Sequence, residues 1–330
     1  MRQTRGFIVA SRQIGGTIGL IVLLLLTSPF PTVRGQSEQT KPPIKIVTDL
    51  VTVDADITDK DGNYVRKLKA DDFVVLEDGA PQKLDFFEAN EGADLTRPLA
   101  VVFSLDVSGS IEPEEILKQR DAAESFVKLV RPESEFAVIA FNYEIRVLQG
   151  FTSDPRKVDQ AFRKIGRGEG STRIFGAIDR AVEMLKRVPR TRDGRILRRV
   201  VIVITDGYDS VDSIDQHDLI RRANDAGVSV YSITLPSYMV TAVGKKKRAL
   251  TLLDASGIVD LTGGADFSAD SLDFTPAFKS IAEEIRSSYT LAFYPPEKDR
   301  HDGKVHQIRV EVKRPGVTIK TSRQSYLAVK

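Results

Sequence analysis

The sequence predicts an α/β fold: an open, mostly parallel sheet with helices on both faces, flanked by a small antiparallel β-sandwich-like unit. Three observations carry that expectation. Between residues 98 and 288, short apolar runs alternate with segments of helical period. Those runs are apolar at nearly every position, as strands buried on both faces are. On either side of this stretch the pattern changes to short strands separated by turns about every ten residues.

Within 98–288 the elements follow in order. Leu99–Leu105 is a continuous apolar run and predicts the first buried strand. Pro113-Glu114-Glu115 opens a helix, with proline in the first turn and acids at the positive end of the helix dipole. Ile116, Ala123, Phe126, Val127 and Val130 share one face of it, and Pro132 ends it. Phe136–Phe141 is a second buried strand. Ile174, Ile178, Ala181 and Leu185 recur at helical spacing. Val200–Ile204 is a third strand, 214–226 a helix, and Val228–Leu235 a fourth strand. A last helix carries Phe278, Ile281, Ala282 and Ile285.

The flanks read as β structure. In 44–92, the runs Leu50–Ile57, Phe73–Leu76 and Leu84–Phe87 are separated by Asp59-Lys60-Asp61-Gly62-Asn63 and Glu77-Asp78-Gly79. The first of these turns is not an EF-hand loop. Gly62 would be its sixth position, which puts Ile57, a side chain that cannot ligate, at the first. In 289–330, Tyr289–Tyr294, Gln307–Val312 and Val317–Thr321 read as strands. The two flanks are expected to pair into one sandwich; two separate β units are the alternative.

The N-terminus is a different kind of segment. Arg2, Arg5 and Arg12 precede the apolar run Ile18–Leu26, and Val33 and Gly35 stand at −3 and −1 of a cleavage before Gln36. This is the layout of a secretory signal peptide over 1–35, with 36–43 as a linker. An uncleaved N-terminal membrane anchor is the alternative reading. A secreted, periplasmic or cell-surface protein with no integral membrane span after cleavage follows. The formal charge of +2 comes from this segment. Residues 1–35 hold four arginines and no acid, so the other 44 basic and 46 acidic side chains net −2, which gives no reason to expect a nucleic-acid partner. The absence of cysteine excludes disulfides and thiol chemistry, and three histidines are too few for a histidine cage.

Three polar stretches interrupt the α/β pattern at strand ends or helix starts. They are Asp106-Val-Ser108-Gly109-Ser110, Gly168-Glu-Gly170-Ser171-Thr172, and Thr205-Asp206-Gly207. In an open parallel sheet, the carboxyl ends of the strands are where ligands bind. Asp106, Ser108 and Ser110 alternate, so an extended backbone points all three to one side. Thr172 adds a hydroxyl and Asp206 a second carboxylate. An all-oxygen set without nitrogen or sulfur suits a hard cation: Mg²⁺ or Mn²⁺, with Ca²⁺ as a further candidate. Five protein groups leave room for water or for an acidic oxygen of a partner. Gly109, Ser171, Gly207 and Asp209 are expected on the rim.

The order Asp106-x-Ser108-x-Ser110, then Thr172, then Asp206-Gly207 resembles the metal-ion-dependent adhesion site of von Willebrand factor A (VWA) domains, and the resemblance covers roughly 98–288. It implies a Rossmann-like sheet, metal contacts through the hydroxyls of Ser108, Ser110 and Thr172, and Asp106 and Asp206 bound directly or through water. It implies a non-catalytic role, the capture of a protein or surface polymer presenting an acidic group. Asp71-Asp72-Phe73-x-Val75-x-Glu77-Asp78-Gly79 and Ile281-Ala-Glu-Glu-Ile285-Arg-x-x-Tyr289, running into Tyr294-Pro-Pro, resemble a secreted bacterial subgroup of acidobacterial type.

Other readings stay open beside this one. A structural or assembly module could hold the metal without using it for capture. A metal-dependent hydrolase is the enzymatic alternative, but no P-loop is present and no Gly-x-Ser-x-Gly surrounds Ser108. Lys245–Arg248 reads as a solvated basic loop or an anionic contact. Arg187, Arg190, Arg192, Arg195, Arg198 and Arg199 gather at the amino end of the strand Val200–Ile204, opposite the polar edge.

Overall fold

The computed structural model describes residues 50–89, 97–109, 113–130, 133–166, 170–208, 213–235, 238–240, 246–248, 250–269 and 273–328. The expected signal peptide and linker lie outside these residues, as do Ser110 and Asp209.

The centre is a six-stranded sheet in the order Asp266–Ser268, Val228–Thr234, Arg198–Thr205, Leu99–Asp106, Glu135–Phe141, Ile145–Thr152. All neighbours are parallel except the last pair. The four inner strands are buried almost throughout because alternate residues enter different cores. Leu99, Val101, Phe103 and Leu105 pack with the helices Pro113–Leu129, Pro155–Arg163 and Thr275–Ser287. Ala100 and Val102 pack with Ile174–Lys186 and Gln216–Ala226 on the other face.

Phe103 is the hub of the first layer, with the rings of Phe126, Phe162 and Phe278 at 6.0, 5.5 and 6.1 Å. One residue from each of three helices thus bears on the strand that ends in Asp106. Each fully buried aromatic or aliphatic side chain contributes roughly 1.5–3 kcal/mol. The strand end is therefore a rigid platform.

Two four-stranded antiparallel sheets flank this domain. Their orders are Val317–Thr321, Val51–Asp59, Tyr289–Phe293, Phe86–Ala89, and Ser325–Leu327, Val305–Val312, Phe73–Glu77, Ala80–Gln82. Strands from before and after the α/β domain pair within both sheets, as in Val53 opposite Leu291 and Val310 opposite Val75, and they alternate throughout the first. Val53, Ile57, Phe73, Val75, Phe293, Ile308 and Val310 form one shared core. At the Asp59 turn, the Asp59 carboxylate accepts the backbone N–H groups of Asp61 and Asn63, both at 2.9 Å, and Gly62 takes φ +82°.

Several elements differ from the sequence reading or are added to it, among them the strand Ile145–Thr152 and the helix Pro155–Arg163. Lys246–Arg248 is a short strand paired antiparallel with Tyr238–Val240, where a loop was expected; the apolar run Tyr238–Val240 supplies its partner. The helix expected over 214–226 runs Gln216–Ala226 and is capped by Asp215, whose carboxylate accepts the Asp218 N–H at 2.8 Å. No helix among the described residues is long and apolar enough to cross a membrane.

Candidate metal site at the carboxyl edge of the sheet

Asp106 is the last residue of its strand and is fully buried. Its carboxylate is fixed from two sides. Oδ1 accepts the Ser108 backbone N–H at 2.8 Å, and Oδ2 accepts the Thr205 hydroxyl at 2.7 Å. The first bond turns the chain sharply, so Ser108 is buried at the strand end. The Val107 N–H donates to the Phe141 carbonyl at 2.9 Å and extends the pairing one residue beyond the strand.

Burial pushes the Asp106 carboxyl up to about 6; the Ser108 and Thr205 hydrogen bonds oppose that rise, and the charge of Asp206 adds to it. Among the described residues no lysine, arginine or histidine pairs with Asp106. A buried carboxylate without a cation is costly.

Thr172 is buried just before the helix Ile174–Lys186. Its loop is anchored by the Arg173 N–H, which donates to the Asn142 carbonyl at 3.1 Å, directly after the strand Glu135–Phe141. Gly170 takes φ +88°, and a Cβ there would stand 3.2 Å from the Tyr143 ring. A Cβ on Gly109 would meet the Gly170 N–H nitrogen at 3.9 Å, so the first and second polar stretches are in contact. Ser171 is half-buried beside them.

Asp206 follows the strand Arg198–Thr205, which pairs in parallel with Leu99–Asp106. It is half-buried, and its Oδ1 accepts the Tyr208 N–H at 3.1 Å. Gly207 takes φ +83°, and a Cβ there would lie 2.7 Å from both Oγ1 and Cγ2 of Thr251. Thr251 in turn caps the helix Leu252–Ser256 and exchanges hydrogen bonds with Asp254.

The structure thus brings Asp106, Ser108, Thr172 and Asp206, with Gly109, Ser171 and Gly207, to one edge of the sheet. Four residues at this edge carry no role in the sequence reading. Thr205 bonds Asp106 and also accepts the Gly207 N–H at 3.1 Å. Thr251 walls the Asp206 loop. Tyr143 and Tyr208 stand exposed beside the edge, at 53% and 40%. A threonine closing an otherwise aliphatic strand, next to Asp206, is the signal that points to Thr205.

The donor chemistry fits a hard cation. It consists of hydroxyl and carboxylate oxygens alone. Among the described residues no three His, Asp or Glu side chains gather as a metal group, so such an ion would depend on the hydroxyls.

The family comparison agrees with this geometry. The α/β domain is a von Willebrand factor type A domain: that family's model matches residues 100–254. The match takes in the Asp106, Thr172 and Asp206 stretches together.

Solved structures similar to the chain include a von Willebrand factor type A protein from Catenulispora acidiphila, at 11% identity and TM-score 0.48, covering 78% of this chain and 74% of that one. An aerotolerance-related membrane protein from Bacteroides fragilis aligns at 18% identity and TM-score 0.45, over 57% of this chain and 98% of that one. Proximal thread matrix protein 1 of the mussel byssus, solved with a zinc-occupied adhesion-site motif, aligns at 17% identity and TM-score 0.47. That alignment covers 61% of this chain and 48% of the mussel protein.

Proposed function

We propose that this VWA domain binds a divalent cation, Mg²⁺ or Mn²⁺, and uses it to hold an acidic group of a protein or surface polymer outside the cytoplasm. The residues that would hold the ion are Asp106 and Asp206 through carboxylates, and Ser108, Ser110 and Thr172 through hydroxyls. The observation that carries the reading is the Asp106 carboxylate. It is buried at a strand end, oriented by Ser108 and Thr205, faced by a second carboxylate, and unpaired with any cationic side chain among the described residues. A bound cation supplies the missing positive charge, and its remaining coordination positions attract an anionic oxygen.

The role is interaction rather than catalysis. Among the described residues, the hydroxyls bonded to the Asp106 carboxylate, those of Thr205 and Ser108, are buried and offer no exposed nucleophile for group transfer. The arginine-flanked apolar run before residue 35 supports export. The flanking sequences Asp71–Gly79 and Ile281–Tyr294 support a place in the secreted bacterial subgroup.

Calorimetric titration of MgCl₂ and MnCl₂ into the chain tests the metal. Saturable binding lost in Asp106→Ala, with the fold retained by circular dichroism, is expected. Heat that is unchanged in the variant overturns the site. Retention of a surface partner that survives chelation overturns the capture role alone.

A further inference from the structure

The arginines at the amino end of the sheet take no part in the site above. Arg190, Arg199 and Arg323 converge on a cavity of about 30 Å³ between the α/β domain and the flanking sheets, with Arg97 and Asp54 on its wall. Arg199 is the second residue of the strand Arg198–Thr205, Arg190 follows the helix Ile174–Lys186, and Arg323 follows the strand Val317–Thr321. Arg199 and Arg323 are 5% and 3% exposed.

Their bonds run to carbonyls, which orient a guanidinium without neutralising it. Arg199 Nη1 donates to the Ala226 carbonyl at 2.8 Å and Nη2 to that of Val188, and Arg190 Nη2 donates to the Asp225 carbonyl at 3.4 Å. Arg199 Nε and Arg323 Nη2 are buried with no hydrogen-bond partner. Among the described residues no carboxylate forms an ion pair with any of the three. Asp54, the acid on the wall, is taken by Arg97, by the Thr290 hydroxyl at 2.9 Å and by Arg198 at 3.7 Å. Asp225 spends Oδ1 on the Leu327 N–H at 3.2 Å. Burial first, and the charge of Arg190 second, push Arg199 and Arg323 down to about 10, so both remain cationic near neutral pH, and burial lowers Arg190 as well.

We propose that this cavity is a binding site for a small inorganic anion, a halide such as chloride, which joins Arg199 and Arg190 of the VWA domain to Arg323 of the flanking unit. Size suits the class. A water needs roughly 10–15 Å³ of such space, so about 30 Å³ has room for a monatomic ion. Charge suits it too. Water could satisfy the two idle N–H groups but would leave three mutually repelling guanidiniums with only the through-space charge of Asp225 and Asp54 to offset them. Gly227 keeps the space open, since a Cβ there would stand 3.0 Å from Arg323 Nη2.

The test compares the full chain in sodium chloride, bromide and gluconate at equal ionic strength. Thermal melts should rise with the logarithm of either halide's concentration and not with gluconate, by about 2 °C or more for each tenfold increase above the dissociation constant. The NMR line of free chloride should broaden with protein and narrow again on adding bromide. Arg323→Gln should abolish both effects. Where that variant does not fold, Arg190→Gln, at a half-exposed position, should weaken halide affinity at least tenfold. Equal melts in chloride and gluconate with no broadening overturn the proposal, as does a halide response unchanged in whichever variant folds.

Discussion

The Thr205 hydroxyl donates to Asp106 Oδ2 at 2.7 Å and links the last residues of two adjacent parallel strands. The same oxygen accepts the Gly207 N–H at 3.1 Å, so one side chain orients a carboxylate and the loop that carries Asp206. Thr205 is a positioning residue on the proposed metal reading. Thr205→Val keeps the shape and removes both bonds. Outer hydrogen bonds to metal ligands are typically worth about 10–100-fold in affinity. Calorimetry should show Mg²⁺ affinity reduced by about that factor, with Thr205→Ser near the parent. Equal affinity in Thr205→Val and the parent would show that the hydroxyl does not act through Asp106.

Gly207 is held by two independent constraints. Its φ of +83° disfavours any side chain, and a Cβ would collide with Thr251 at 2.7 Å. A non-glycine residue in such a backbone region costs about 1–3 kcal/mol, and the collision adds to that. Gly207→Ala should lower the urea midpoint and also weaken cation binding, because the Asp206 loop must move away from the Thr251 wall. Pairing it with Thr251→Ala separates the two causes. If the clash dominates, the double variant regains most of the lost stability; if the backbone dominates, it regains little.

The legible and illegible parts of the fold divide on burial. Leu99–Asp106, Arg198–Thr205 and Val228–Thr234 are buried on both faces; the first two show in the sequence as the apolar runs Leu99–Leu105 and Val200–Ile204, and the third as apolar residues interspersed with serine and threonine. The edge strand Ile145–Thr152 leaves Arg146 and Val147 exposed and carries a register shift against its neighbour, so no period marks it. Asp266–Ser268 is only three residues long and pairs on one side alone. The polar residues of the carboxyl edge stand out because they break apolar runs. Thr205 reads only as the start of the third stretch, since threonine is an ordinary strand former and no local pattern gives it a bond to Asp106. The arginines before Val200 are visible as a cluster, but their convergence with Arg97 and Arg323 depends on pairing between distant flanks, which no local pattern encodes.

Gly264 marks where the chain after the helix Ile258–Leu261 is pressed against the sheet. A Cβ there would fall 1.8 Å from the Val230 carbonyl oxygen, and one on Gly263 would fall 2.2 Å from Ser322 Cα. Both obstacles are backbone, so no rotamer change relieves them. Gly264→Ala must displace the strand Val228–Thr234 or the segment that crosses it. The expected loss is about 4 kcal/mol or more, in the class of severe core substitutions. Urea denaturation and soluble yield check it. A melt within about 1 kcal/mol of the parent would mean that the crossing segment can lift without cost.

Asp56 supplies a pH dependence remote from the metal edge. It lies buried on the strand Val51–Asp59, accepts a hydrogen bond from the Ser288 hydroxyl, and shares its surroundings with Arg198, Glu284 and Lys320. Burial raises its carboxyl from 3.8 to about 7; Arg198 opposes the rise and Glu284 adds to it. Between those values the folded protein holds a proton that the unfolded chain has released. Stability from this group is complete below about pH 4 and is lost as the pH climbs through about 7. Asp56→Asn keeps a polar partner for Ser288 and cannot ionise. Urea midpoints taken at about pH 5 and about pH 7.5 should fall more steeply in the parent than in the variant. Comparing the two proteins cancels the slopes of all other titrating groups. Parallel slopes would mean that Asp56 is ionised at both values, held so by Arg198 and Lys320 against its burial.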